Sequence, residues 1–149
     1  MSLQDLGSIS ELISAIAVVL SLLYVAKQIR DNSTQTKRNT ATVLAAIAQD
    51  GFAPIYNTPE NLRIWHVGRF NPDELDEGEL RTFFMFMERQ LWNYENSVSA
   101  YHDGTYEKKL FDNLSAAYGA VASTPGGLLY LEKGPLKLTD KAKEYLGVA

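Results

Sequence analysis

An uncharged run of fifteen residues near the N-terminus, from Leu12 to Ala26, constrains the fold of this 149-residue chain more than any other feature. As a helix at about 1.5 Å per residue it covers roughly 22 Å, less than the roughly 30 Å of hydrocarbon in a bilayer. Extending it back to Leu6 gives twenty-one residues and roughly 31 Å, with Glu11 as the only charge inside. We therefore predict a transmembrane helix.

Two other structures are compatible with such a run. Short apolar runs are often helices buried inside soluble bundles, which here would give a soluble helical dimer with a buried N-terminal helix. The second is a secretory signal peptide, but Asp5 and Glu11 stand where its basic segment should be. No small-residue cleavage site follows either, so the transmembrane helix is the favoured interpretation.

Basic residues follow the apolar run and none precedes it. Because cytoplasmic flanks of membrane helices are enriched in Lys and Arg, this asymmetry predicts a bacterial inner-membrane protein with its N-terminus outside and its C-terminal part in the cytoplasm. The same residues suit anionic lipid headgroups, which makes the bilayer the first predicted partner. They are Lys27, Arg30, Lys37 and Arg38.

Small and polar residues recur along the run in steps of three and four, which places them on one side of a helix. In lipid, helices associate through close backbone approach at small residues and through hydrogen bonds between their side chains. We therefore predict a helix-packing interface with further copies of the chain or with another membrane protein. It comprises Gly7, Ser10, Ser14, Ala17, Ser21, Tyr24 and Gln28, with Glu11 at its margin.

The remaining sequence has the composition of a folded domain. It belongs to a chain that is 46% hydrophobic and 21% charged, with a net charge of −4, which argues against a nucleic-acid partner. The absence of cysteine fits a reducing compartment. We divide the chain into an N-terminal tail and membrane helix, residues 1–31, and a cytoplasmic helical domain, residues 32–149.

Helical periodicity dominates this second part. From about Glu77 to His102, apolar residues recur at alternating steps of four and three, and Gly104 suits the left-handed position after a helix. The apolar positions are Leu80, Phe84, Met87, Leu91, Tyr94, Val98 and Tyr101. A short turn then leads to a second helix from Tyr106 to Val121, so we predict an antiparallel hairpin in an all-α fold.

Caps and breakers delimit the other helices. Thr58 and Pro59 predict a helix start, Thr124-Pro125-Gly126-Gly127 a stop and a fresh start, and residues 139–146 a last short helix. Between residues 28 and 49 the first helix either continues or breaks at residues 31–34. We expect a helix end before Gly51, with loop from Pro54 onwards.

Glu88, Glu95 and His102 lie seven residues apart on the predicted helix from Glu77 to His102, next to Arg89. This line could form part of a ligand site or a buried polar cluster, although a spacing of about 10 Å is too wide for two of them to share one metal ion. The commoner role of such carboxylates is pairing with an arginine. The arginines available for it are Arg63, Arg69, Arg81 and Arg89.

Aromatic residues are dense in the predicted hairpin. We expect most of them to pack in a core, with an exposed docking surface as the alternative. They are Phe83, Phe84, Phe86, Trp92, Tyr94, Tyr101 and Tyr106.

In the order and spacing of several short motifs, the chain resembles a family of short bacterial single-pass membrane proteins to which no function is assigned. The motifs are YVAKQIRDN at the end of the apolar run, then ERQLWNYEN, YHDG and STPGG. The resemblance implies one N-terminal span and a helical cytoplasmic domain. It carries over Arg89, Gln90, Glu95, Asn96, Pro125, Gly126 and Gly127 as shared residues without roles, and Tyr130 stands where relatives have tryptophan.

The sequence holds no catalytic motif that we recognise. No Gly-x-Ser-x-Gly element is present, and Gly126-Gly127 lacks the Lys-Ser/Thr tail of a phosphate loop. We expect a non-catalytic, single-pass membrane protein without cofactor or metal. It would act by assembly, as a homo-oligomer or as an accessory or scaffold subunit. The alternatives are a membrane-anchored ligand- or metal-binding sensor and the soluble dimer.

Overall fold

The computed structural model describes residues 3–148, with side chains at position 7 and from 10 to 148. In chain order the helices are α1 (Leu3–Tyr56), α2 (Pro59–Phe70), a 3-10 helix (Pro72–Glu74), α3 (Glu77–His102), α4 (Lys108–Ala122), α5 (Pro125–Lys133) and α6 (Asp140–Leu146). No strand occurs within the described range, so the all-α prediction is confirmed. By internal contacts the chain divides into two units, Met1–Arg38 and Asn39–Ala149. The functional boundary after residue 31 stays a prediction.

The polar stretch after the apolar run does not interrupt α1. Thr34 Oγ1 donates a hydrogen bond to the Arg30 carbonyl at 3.0 Å, and Thr36 Oγ1 donates to the Asn32 carbonyl at the same distance. Such bonds to the preceding turn satisfy the threonine hydroxyls without leaving helical geometry. Of the two predicted possibilities, the continuous helix is therefore the observed one.

The expected helix end before Gly51 is wrong, because α1 continues through Gly51 and Pro54 to Tyr56. A Cβ at Gly51 would lie 2.5 Å from Asn93 Nδ2 of α3, so the glycine permits close approach of the two helices. Asn61 Nδ2 donates to the Pro54 carbonyl at 2.8 Å. Contacts with α2 and α3 thus offset the local cost of Gly and Pro in a helix.

Side-chain caps fix where the later helices begin. Thr58 Oγ1 accepts from the Asn61 amide at 3.1 Å, and Thr124 and Thr139 cap α5 and α6 in the same way. Each of these starts agrees with the sequence prediction. Asp76 and Glu79 form a reciprocal capping box at the start of α3. Beyond its other end Gly104 has a φ of +68°, as expected for the residue after a helix.

The core of the second unit is built on α3. The seven apolar positions predicted for this helix, from Leu80 to Tyr101, form its apolar seam and are all buried or half-buried. Tyr94 stacks on Phe111 and Tyr118 of α4, with ring centroids 6.3 and 5.2 Å apart, and its hydroxyl donates to Ser115 Oγ at 2.9 Å. Most of the predicted aromatic residues are core residues, as expected, whereas Trp92 is 59% exposed.

Glycines allow α5 to approach its neighbours closely. A Cβ on Gly126 would overlap the carbonyl oxygen of Gly68 in α2, and a Cβ on Gly127 would lie 2.5 Å from the carbonyl oxygens of Val121 and Ala122. Backbone packs directly on backbone at these points. The pair Gly126-Gly127 therefore has a packing role in this fold.

Candidate functional site

One helix within the described residues, α1, is long and apolar enough to cross a membrane. None of its most apolar stretch is buried. The large apolar side chains between Leu12 and Val25 are 48% to 64% exposed. Such a continuous apolar surface normally requires a cover of lipid or of another protein.

The predicted helix-packing residues lie along this exposed segment. Each of them is exposed, as is Glu11 at the margin. Gln28 Nε2 donates to the Tyr24 hydroxyl at 3.3 Å, which joins two members along one side of the helix. A Cβ at Gly7 would meet no atom within 4 Å. The side of small residues is thus open to close approach, and its partner stays a prediction.

The four basic residues after the apolar run are also exposed. Lys27 and Arg38 are eleven residues apart, which is roughly 16 Å along a helix. Lys27, Arg30, Lys37 and Arg38 are therefore accessible to anionic groups, as their predicted role at a membrane boundary requires.

Glu88, Glu95 and His102 have different neighbours in the structure. Glu95 accepts two hydrogen bonds from Thr139, one from its amide at 2.6 Å and one from its hydroxyl at 3.1 Å. Glu88 is exposed, and His102 lies beside the rings of Tyr101 and Tyr145. Among the described side chains no three acidic or histidine residues are arranged to hold a metal ion. Glu95 joins α3 to the start of α6.

The arginines expected to pair with these carboxylates have other partners. Three of them lie close to carboxylates that are nearer in the fold, and the fourth lies over aromatic rings. Arg63 pairs with Glu60 and Glu79, Arg81 with Glu77 and Arg89 with Asp50, whereas Arg69 lies over the rings of Trp65 and Phe70.

A cavity of about 320 Å³ lies between the C-terminal part of α1 and helices α2, α3 and α4. Aromatic rings of Phe52, Tyr56, Trp65 and Tyr118 form much of its wall. Trp65 and Tyr118 are 5% and 7% exposed, whereas Tyr56 is 64% exposed and marks the open side. Its volume is at the small end of the usual range for ligand pockets.

Polar side chains also line this mostly apolar cavity. The Tyr118 hydroxyl donates to Gln90 Oε1 at 3.3 Å. Gln90 is 2% exposed, yet its Nε2 has no hydrogen-bond partner within the described residues, and neither has the buried Nε of Arg69. An unpaired buried donor costs free energy, so it is a feature that needs a physical reason.

Burial raises the pKa of the Tyr118 hydroxyl to about 12. The hydroxyl therefore stays protonated near neutral pH and can keep donating to Gln90 Oε1. This bond holds the carboxamide by its oxygen. The two N–H groups of Gln90 are left for another acceptor.

The sequence contains one signal for this site. Phe83, Gln90 and Ser97 are spaced by seven beside the apolar seam, and all three are buried. A glutamine at a repeated core position is unusual and points to a specific polar contact. The convergence with Arg69 could not be read from spacing, because it depends on how α2 packs against α3.

Comparison with family models, with curated proteins and with solved structures finds no significant match to this chain. Its function is therefore inferred from the exposed helix and the geometry of the folded unit.

Proposed function

We propose that this protein is a single-pass membrane protein of the bacterial inner membrane that acts by assembly, as a homo-oligomer or as an accessory subunit of a membrane complex. The observation that supports it is the exposure of α1, whose large apolar side chains from Leu12 to Val25 have no protein cover. A bilayer would cover this surface on all sides.

The proposed arrangement has the N-terminus outside and the helical unit, with α3 and α4 as an antiparallel hairpin, in the cytoplasm. The exposed basic residues after the apolar run support this direction. The proposal agrees with the resemblance to short bacterial single-pass proteins. A reporter enzyme that is active only outside the membrane should be inactive when it is fused to the C-terminus.

Membrane insertion is tested by placing a charge in the run. We expect Ile16→Lys to disfavour insertion by about 2.5 to 3.5 kcal/mol, because a charge near the middle of a span must be desolvated or pulled to the interface. Val43→Lys adds the same charge at an exposed α1 position beyond the run and is the control. Extraction with alkaline carbonate measures the inserted fraction. Release of the unaltered protein without detergent would contradict the membrane proposal and favour the soluble dimer.

Assembly is tested on the small-residue side of α1. Replacing Ser14, Ala17 and Ser21 by leucine should reduce the oligomeric mass, because the bulky side chains prevent close helix approach. Ala15→Leu with Ala26→Leu makes the same kind of change on another side of the helix and should leave the mass unchanged. Native mass spectrometry from nanodiscs gives the copy number. Identical masses for both variants and the unaltered protein would refute the predicted interface.

A further inference from the structure

The cavity between α1, α2, α3 and α4 has the properties of a binding site for one class of small molecule. We propose that it binds an amphipathic monocarboxylate, with the carboxylate at Gln90 and Arg69 and the apolar body between the aromatic walls. This inference concerns the folded unit from residue 39 onwards and is independent of the proposed membrane function.

The chemistry of the polar head follows from the unpaired groups. Gln90 Nε2 and Arg69 Nε are both hydrogen-bond donors, both are buried, and neither has a partner within the described residues. Both residues line the cavity, but these two nitrogens have almost no accessible surface, so a ligand reaches them only when the side chains rotate toward it. Such a ligand must bring acceptors. Arg69 is the one charged residue among the described lining residues, so a single negative charge is balanced and a second would be buried without a partner.

A carboxylate fits these donors better than a neutral acceptor. Hydrogen bonds between a guanidinium and a carboxylate are charge-assisted and roughly twice as strong as neutral ones. The two carboxylate oxygens can receive N–H groups from Arg69 and from Gln90. The Tyr118 hydroxyl donates to Gln90 Oε1, so the amide nitrogen is the unpaired end of this side chain.

The wall and the volume define the rest of the ligand. The lining is mostly apolar and includes four aromatic side chains. A volume of 320 Å³ corresponds to roughly ten water-sized groups at about 30 Å³ each. A short aliphatic chain or one aromatic ring with a two- or three-carbon acid would therefore fill it.

Binding can be measured with the full chain in lipid nanodiscs by tryptophan fluorescence. The chain has two tryptophans: Trp65 lines the cavity and Trp92 does not. A Trp92→Phe background makes Trp65 the sole reporter. The probes are 3-phenylpropanoate and octanoate, which separate aromatic from aliphatic carboxylates, with 3-phenylpropan-1-ol and 3-phenylpropylammonium as the neutral and cationic analogues. Empty nanodiscs correct for partition into lipid.

We expect saturable binding of at least one carboxylate, about tenfold or more tighter than the alcohol, and none of the ammonium. Gln90→Leu and Arg69→Met should each weaken carboxylate binding about tenfold or more, and Arg69→Met should abolish the preference over the alcohol. Arg81→Met removes an equal charge from the exposed pair with Glu77 and should bind as the unaltered protein does.

Three results would overturn the proposal. One is the absence of saturable binding of either carboxylate at millimolar concentration. Another is equal affinity for the carboxylate and the alcohol, which would define a purely apolar cavity. The third is unchanged affinity in both Gln90→Leu and Arg69→Met. Thermal melting by circular dichroism verifies that each variant is folded. Gln90→Leu removes the unpaired Nε2 but also the acceptor of the Tyr118 hydroxyl, so its melting temperature separates lost binding from lost folding, and Arg69→Met tests the site independently.

Discussion

The N-terminal part of α1 and helix α3 both carry apolar residues at helical spacing, but only α3 buries them. Between Leu12 and Val25 the large apolar side chains are 48% to 64% exposed, whereas Phe83, Met87 and Tyr94 of α3 are 0% exposed. Large apolar residues cover most of the circumference of the α1 run, beside its narrower side of small residues, and α3 is apolar mainly on one side. The distribution around the helix, more than the amount of apolar residue, therefore separates a helix that needs an apolar environment from one that packs in a protein core.

The largest expected difference between the two regions is the effect of removing an apolar side chain. Phe83→Ala should lower the free energy of unfolding of the helical unit by about 3 to 5 kcal/mol, because it leaves a cavity in a close-packed core. Phe83 is fully buried and its ring centroid lies 5.8 Å from that of Trp65. Urea unfolding of the full chain in nanodiscs, followed by circular dichroism, measures the change.

Leu22→Ala is the matched control for this prediction. Leu22 is 64% exposed, so its truncation should alter the unfolding free energy by less than about 0.5 kcal/mol. Equal effects of the two substitutions would mean that the exposed run of α1 contributes to the same core, and the contrast between the regions would fail.

A second, smaller difference should appear at high pH. Burial raises the pKa of Tyr118 and of Tyr130 to about 12, and the negative charge of Glu88 adds to the effect at Tyr130. The unfolded value is about 10, so between pH 10 and 12 the unfolded chain has lost protons that the folded chain retains. The free energy of unfolding must therefore fall as the pH rises through this range.

Substitution by phenylalanine isolates each contribution. Tyr118→Phe and Tyr130→Phe should each remove up to about 3 kcal/mol of the fall between pH 10 and 12. Urea unfolding at several pH values gives the slope for each variant. A slope identical to that of the unaltered protein in both variants would show that neither buried tyrosine is linked to folding.

Much of this architecture could be predicted from local sequence. Thr58-Pro59, Thr124-Pro125 and Thr139 each combine a capping hydroxyl with residues suited to a first helical turn, and they mark three observed helix starts. The seam of α3 was predictable because one side of that helix is apolar for its whole length. These features depend on neighbours within one or two helical turns.

What could not be predicted depends on contacts between helices. Gly51 and Pro54 locally disfavour a helix, but packing on α2 and α3 keeps them in α1. The cavity brings together Arg69, Gln90 and Tyr118 from three helices, and no local pattern encodes that meeting. Likewise, the pairing of Glu95 with Thr139, 44 residues later, replaced the arginine partners suggested by composition.

The smallest expected effect concerns polar contacts within these two regions. The Gln28–Tyr24 bond of α1 joins adjacent turns of one helix, whereas the Glu95–Thr139 bonds join α3 to α6. Glu95→Gln and Thr139→Ala should each cost about 1 to 2 kcal/mol of unfolding free energy, since both loosen the start of α6. Because the two residues share their bonds, the double variant should lose less unfolding free energy than the two single variants together. We expect the difference to be about 0.5 kcal/mol or more.

Gln28→Met is the control in α1 and should leave the free energy of unfolding almost unchanged. Additive costs for Glu95 and Thr139 in the double-mutant cycle would mean that Thr139 acts only as a local cap. The polar contact of α3 would then contribute nothing between helices, and the contrast with the local Gln28–Tyr24 bond of α1 would fail.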